Sequence, residues 1–177
     1  NGGFADYLMV LVSTEPGTGH RGLSMVIIDK DTPGFSVGRH ELKLGIRGSD
    51  TSELLFDNCR IPQADRLGEE GRGLKISLTI LDGGRIGIAA QALGIAQAAY
   101  DDAVAYAKER TQFGKPIAEF QAIAFKIAEM ATELEAARLM TYKAAWLKDQ
   151  GEDYKMASSM AKLYASEASI RITNEAL

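Results

Sequence analysis

The hydrophobic period of this chain changes once, and that change limits what it can fold into. Up to about Arg66 the apolar residues come in short runs, YLMVLVST, GLSMVIID, a less regular SVGRHELKLGIR and SELLFDNCRIP, separated by the turn-rich EPGTG, KDTPG and RGSD. Such runs predict antiparallel strands. From Gly73 onward proline occurs once, at Pro116, and apolar residues take helical spacing. The predicted class is therefore α+β: part of an antiparallel β domain over residues 1–66, then an incomplete up-and-down helical bundle over 67–177. The border falls between Pro62 and Gly71. With 177 residues and 46 % hydrophobic content the chain can bury a sizeable core.

Three or four helices are expected. A short one from about Gly73 to Leu81 should end at Gly83-Gly84, because each glycine costs roughly 1 kcal/mol against alanine in a helix interior. A long one then runs to about Arg110, where TQFGKP interrupts it, with Gly114 as helix C-cap and Pro116 in the first turn of the next helix. That next helix carries Phe120, Ile123, Ile127, Met130, Leu134 and Ala137 three and four apart, the stripe of a bundle helix. A last helix begins near Tyr154 and is still running at Leu177. Asn1 starts in mid-pattern and there is no leader segment, so a fragment of a longer chain is expected.

Charge narrows the function classes. The net charge of -4 divides evenly, with seven Lys/Arg against nine Asp/Glu up to Arg66 and thirteen against fifteen after it. That argues against a basic nucleic-acid surface and against a charged tail. The longest uncharged run, Ile86 to Tyr100, is fifteen residues and rich in Ala, Gly and Gln, too short and too polar for a membrane span. Cys59 is the single cysteine, so no internal disulfide forms and a reducing compartment is the default.

Between Asp82 and Asp101 the only charge is Arg85. Asp82-Gly83-Gly84-Arg85 reads in a bland way as a helix kink with a surface ion pair. Its functional reading is a place where the glycines let a substrate pass close to the backbone, with Asp82 and Arg85 as polar anchors. Arg110, followed by Thr111, Gln112 and Phe113, lies at a helix end. There an arginine either complements the exposed carbonyls or reaches a diphosphate with its two-pronged guanidinium. Gln121, one turn into the next helix, would add an amide to the same ligand. His20 and His40 lie near turns, are not spaced with Cys59 as metal ligands, and read as surface residues. No nucleophile elbow, Walker loop or GxGxxG occurs. GEEGRG at 68–73 has no strand directly before it and reads as a connector.

Four strings, KLGIRGSDTSELLFDNCRIP, LDGGRIGIAAQALGIAQAAY, KERTQFGKPIAEFQ and SMAKLYASEAS, resemble in order and spacing the second half of an acyl-CoA dehydrogenase, in particular the short-chain (butyryl-CoA) type. The resemblance implies the later part of the middle β domain and a truncated C-terminal helical domain. It places Asp82, Gly83, Gly84 and Arg85 along the acyl-CoA site. It places Arg110, Thr111, Gln112 and Gln121 at FAD, with Phe113 packed close by and the flavin held mainly by a neighbouring subunit of a dimer or tetramer.

The implied reaction is α,β-dehydrogenation of a fatty acyl thioester, with electrons passing to an electron-transferring flavoprotein, in a bacterial cytoplasm or a mitochondrial matrix. In most members the catalytic Glu lies beyond the position of Leu177, and in some on the long helix at the position that is Gly84 here. No residue of this chain is therefore expected to be the base, and the fragment alone is expected to be inactive. An acyl-CoA oxidase or related flavin oxidase of the same fold is one alternative. A non-catalytic scaffold with the same bundle is another.

Overall fold

The first alternating run folds as strand β1 (Tyr7–Ser13), antiparallel to β2 (Leu23–Asp29), in a computed structural model that describes residues 1–177. The register sets Leu8 opposite Ile28 and Val10 opposite Val26. Leu8, Val26 and Ile28 are buried, whereas Tyr7, Met9 and Leu11 on the alternate face of β1 are exposed, as a period of two requires. Strand β3 (Phe35–His40) pairs with β4 (Ser52–Phe56). The third run is strand only as far as His40. Beyond it Glu41 N–H still donates to the Thr51 carbonyl at 2.8 Å, but Lys43 turns its ammonium onto the Ser49 carbonyl and Ile46 takes a positive φ of 50°. Leu42 and Leu44 are left fully exposed.

At the end of β3, His40 Nδ1 lies 2.7 Å from Asp50 Oδ1, and Ser52 and the Gly3 N–H also donate to that carboxylate. These hydrogen bonds, Ser52 first and His40 next, hold the Asp50 carboxyl well below the usual carboxylate range.

A two-residue strand β5 (Arg66–Leu67) adds to the other edge of β2, giving the order β1-β2-β5. A strand therefore does stand directly before GEEGRG, and the glycines of that segment serve packing. Gly71, at φ 76°, donates its N–H to Ser24 Oγ at 3.0 Å. A Cβ on Gly73 would lie 2.5 Å from the Ser24 carbonyl carbon and 2.7 Å from Leu11 Cδ1, a clash no neighbouring backbone can relieve. Only glycine lets the next helix begin against β2.

That helix, α1 (Gly73–Glu109), is continuous, where the sequence predicts a break at Gly83-Gly84. Both glycines keep helical backbone, since neither has a positive φ. The Asp82–Arg85 ion pair spans them, and Ala89, Ala92, Leu93 and Ala96 fasten the following turns into the core. Tertiary packing thus outweighs the local glycine cost.

Helices α2 (Gln121–Asp149) and α3 (Lys155–Glu175) pack against each other. Of the predicted stripe on α2, Met130, Leu134 and Ala137 are buried and Ile127 is partly buried against them. From α3 come Ala161, Ala165, Ala168 and Ile172. Two buried hydroxyls bond within their own helices, Thr141 to the Ala137 carbonyl at 2.7 Å and Ser158 to the Lys155 carbonyl at 3.0 Å. No buried side-chain polar atom lacks a partner. No helix is long and apolar enough to cross a membrane. The chain forms two compact units, Asn1–Thr79 and Ile80–Leu177; Gly73, at the start of α1, lies against β2 within the first.

Leu134→Ala should lower unfolding stability by about 2–5 kcal/mol, the usual cost of emptying a buried leucine site. Urea unfolding of the protein that contains this chain measures it.

Candidate functional site

Two clusters in the helical unit carry the candidate residues. In the first, Asp82 is only 9 % exposed, and Arg85, one helical turn on, pairs with its carboxylate. A buried carboxylate needs a cation, and the three-residue spacing supplies one on the same face. The two glycines between them differ in surroundings. A Cβ on Gly83 would sit 3.1 Å from Lys148 Nζ and 3.7 Å from the Tyr154 hydroxyl, whereas nothing lies within 4 Å of one on Gly84. Gly83 makes room for the chain's own side chains, and Gly84 leaves an open flank.

The second cluster follows α1. The Arg110 N–H still donates to the Tyr106 carbonyl at 2.8 Å, and the chain then reverses through a small hairpin, β6 (Thr111–Gln112) and β7 (Lys115–Pro116). Its turn is Phe113-Gly114, with φ 52° and 80°. Two successive residues in the left-handed region give the twist a two-residue hairpin needs. Gly114 is therefore a hairpin residue, not a helix C-cap. Pro116 ends the second strand instead of opening a helix, and a single 3-10 turn over Ile117–Glu119 leads into α2. The Ile117 N–H closes the hairpin onto the Arg110 carbonyl at 2.8 Å.

A left-handed φ at a bulky residue costs of order 1–3 kcal/mol, and here it lifts the Phe113 ring to 93 % exposure. The ring meets Phe120 edge-on, with centroids 6.2 Å apart, and Lys115 Nζ lies 4.6 Å from the Phe120 ring centroid. Arg110, Thr111, Gln112 and Gln121 are all exposed around this turn. Arg110 takes part in none of the chain's arginine ion pairs, which use Arg39, Arg66, Arg85, Arg138 and Arg171. The hairpin and the start of α2 thus gather one guanidinium, two amides, a hydroxyl and an exposed ring at one corner.

The remaining polar groups form no second catalytic site. His20 is exposed. His40, Asp50 and Ser52 form a trio, but both oxygens meet the same ring nitrogen, at 2.7 and 3.1 Å, and Ser52 also donates to Asp50. A nucleophile needs its base on one ring nitrogen and the orienting carboxylate on the other. No group of three or more His, Cys, Asp or Glu lies close enough to hold a metal ion.

The sequence does not reveal that Lys148 and Tyr154 lie beside Gly83. A lysine in the last turn of a helix is ordinary, and nothing in the sequence connects it with Gly83, 65 positions earlier.

The pattern described as "Acyl-CoA dehydrogenase, C-terminal domain" matches residues 71–177, and "Acyl-CoA dehydrogenase, middle domain" matches residues 1–59. A short-chain specific acyl-CoA dehydrogenase of Megasphaera elsdenii is 49 % identical over 177 residues, which are 100 % of this chain and 46 % of that protein. An acryloyl-CoA reductase (NADH) of Anaerotignum propionicum is 51 % identical over 176 residues, 99 % of this chain and 45 % of its own length. The solved structure of butyryl-CoA dehydrogenase from Megasphaera elsdenii superposes with a TM-score of 0.97 at 49 % identity, covering 99 % of this chain and 46 % of that one. The chain spans somewhat under half the length of these relatives, and it belongs to the acyl-CoA dehydrogenase family.

Proposed function

We propose that the protein containing this chain catalyses flavin-dependent α,β-dehydrogenation of short-chain acyl-CoA thioesters to trans-2-enoyl-CoA. Residues 1–66 would be the later part of its middle β domain and 67–177 its helical domain. The observation that carries the reading is the open flank at Gly84, bordered by the Asp82–Arg85 pair, in a unit that also presents the free donors around Arg110. Supporting it is the 49 % identity to a short-chain specific acyl-CoA dehydrogenase.

The donor set suits FAD. A diphosphate wants a two-pronged cation and amide hydrogens, and Arg110, Gln112 and Gln121 offer these, with the Thr111 hydroxyl beside them. Phe113, held outward, gives a flat ring against which a planar group packs. When bound, FAD supplies the two-electron acceptor for the β-hydrogen and its bonding pair. This chain's residues bind and orient: Gly84 lets the thioester lie against the backbone of α1, and Arg85, held by Asp82, marks its polar side.

The α-proton is to be taken by a carboxylate outside residues 1–177. Asp82 is already paired with Arg85, and Gly84 has no side chain. An electron-transferring flavoprotein would take the electrons onward, in a bacterial cytoplasm or a mitochondrial matrix. Large exposed apolar side chains on α1 (Ile88, Ile95) and α2 (Phe125, Leu139, Trp146) support assembly as a homo-oligomer, dimer or tetramer.

A second reading, reduction of a 2-enoyl thioester at the same site, has the 51 % identity to an acryloyl-CoA reductase (NADH) in its favour. Anaerobic titration of the whole flavoprotein with butyryl-CoA separates the two readings. Bleaching of the visible flavin band near one equivalent supports dehydrogenation. An unbleached flavin, with longer and branched thioesters also inert but NADH bleaching it, moves the assignment to the reductase. Rapid reoxidation by oxygen after bleaching would identify an oxidase.

Arg110→Ala should weaken flavin retention, a charge-assisted contact being worth about 1.5–3 kcal/mol. Flavin content after dialysis checks it, and an unchanged value removes Arg110 from the cofactor site. Gly84→Leu should fill the open flank, raising the KM for butyryl-CoA by tenfold or more while the flavin stays bound. Steady-state kinetics with a flavin spectrum reads both.

A further inference from the structure

A hairpin sorts its side chains by face, because successive residues of a strand point to opposite sides and cross-strand partners share one. In the hairpin after α1 the partners are Gln112 with Lys115 and Thr111 with Pro116. Arg110 extends this ladder by one residue, its carbonyl accepting the Ile117 N–H at 2.8 Å. Arg110, Gln112 and Lys115 therefore stand on one face, and Thr111 stands on the other. The turn fixes the register, since Phe113 and Gly114 are the two residues with positive φ and a slip of one position would move one of them out of it.

Lys115 is half-buried and has no counterion. Its Nζ lies 4.6 Å from the Phe120 ring centroid and donates to the Glu119 carbonyl at 3.4 Å. The carboxylates nearest to it and to Arg110 in sequence are Glu109, at the end of α1, and Glu119. Both are exposed, and the chain's ion pairs use neither of them. The ring attracts the ammonium from one side, which leaves N–H donors free on the others. The same ring meets Phe113 at 6.2 Å and nearly at right angles. One aromatic side chain thus seats both the cation and the outward-held phenylalanine.

We propose that Lys115 is a second cation of the flavin corner, and that the face carrying Arg110, Gln112 and Lys115 grips the FAD diphosphate. The inference rests on the proposed FAD corner and deepens it by naming the side of the hairpin that the cofactor meets. A diphosphate spreads its charge over two neighbouring phosphoryl groups. The planar guanidinium suits two oxygens at once, and the ammonium suits the remaining charge as a point. Directly opposite strand residues lie about 5.5 Å apart between Cα atoms, so the Gln112 amide and the Lys115 ammonium can reach one anion together. The Thr111 hydroxyl sits beside this grip and not in it.

The test is the rate at which flavin leaves the whole flavoprotein on dilution, read as recovery of free-flavin fluorescence at low and at high salt. Lys115→Met keeps an apolar stem beside the Phe120 ring and removes the charge. It should release flavin about threefold to tenfold faster than wild type at low salt, the range of a partly solvated charge-assisted contact. Added salt should shrink that difference. Lys115→Arg should return the rate close to the wild-type value, and Thr111→Val should leave it unchanged.

A wild-type rate for Lys115→Met, a difference that salt does not alter, or an equal effect of Thr111→Val would overturn the assignment. If Arg110→Ala still releases flavin faster in that case, the flavin corner itself stands. If Arg110→Ala is also without effect, the corner and the inference fall together. Lys115 lies on a surface hairpin, so its variants should keep the wild-type fold, and a far-UV spectrum verifies that.

Discussion

Close packing of alanine against alanine governs the helical unit. Ala89, Ala92 and Ala96 of α1, Ala137 and Ala144 of α2, and Ala161, Ala165 and Ala168 of α3 are all essentially closed to solvent. Side chains this small bring the α2 and α3 backbones near one another, so dispersion contacts run along these helices instead of through a few large residues. Leu93, Met130, Leu134 and Ile172 fill what remains. The consequence for function lies at the other end of α1. A helix fastened over several turns by such contacts stays helical through Gly83 and Gly84, where local propensity alone favours a break. A site that needs bare backbone on a rigid element can therefore be built there.

Elements whose signal is local were readable from the residues. Alternation in YLMVLVS and LSMVIID announces β1 and β2, because side chains on a strand must point to opposite faces. The spacing of Met130, Leu134 and Ala137 announces the buried side of α2. Besides the unbroken α1, three features escaped, each for a physical reason. The hairpin at Thr111–Pro116 is set by two successive left-handed residues, one of them a phenylalanine, and Phe-Gly is a weak turn signal beside Asn-Gly or Asp-Gly. The third apolar run stops being a strand at His40 because its partner β4 begins only at Ser52. The strand before GEEGRG is two residues long and exists only because β2 offers an edge to pair with.

The candidate site divides the same way. Arg110, Thr111, Gln112, Phe113 and Gln121 lie within a dozen residues of sequence, and the chain turn that gathers them is local. Asp82 and Arg85 find each other by helical spacing alone. Lys148 and Tyr154 reach Gly83 only after α2 has run its length and turned into α3. That is a tertiary juxtaposition with no trace in any short window of sequence. Gly83 and Gly84 look equivalent in the sequence, yet one is faced by the protein's own cation and the other by open space.

Polar satisfaction separates what this chain does for itself from what it holds ready. Inside the core every buried side-chain polar atom is bonded, and the hydroxyls of Thr141 and Ser158 are bonded within their own helices. Around the hairpin the groups are left free instead: Arg110 joins none of the arginine ion pairs, and Phe113 is an exposed ring on a left-handed backbone. An unpaired surface arginine costs the fold little, but a left-handed φ at an exposed phenylalanine costs of order 1–3 kcal/mol that folding does not recover. In the proposed reading a flavin dinucleotide completes them, its diphosphate meeting the guanidinium and a planar group meeting the ring.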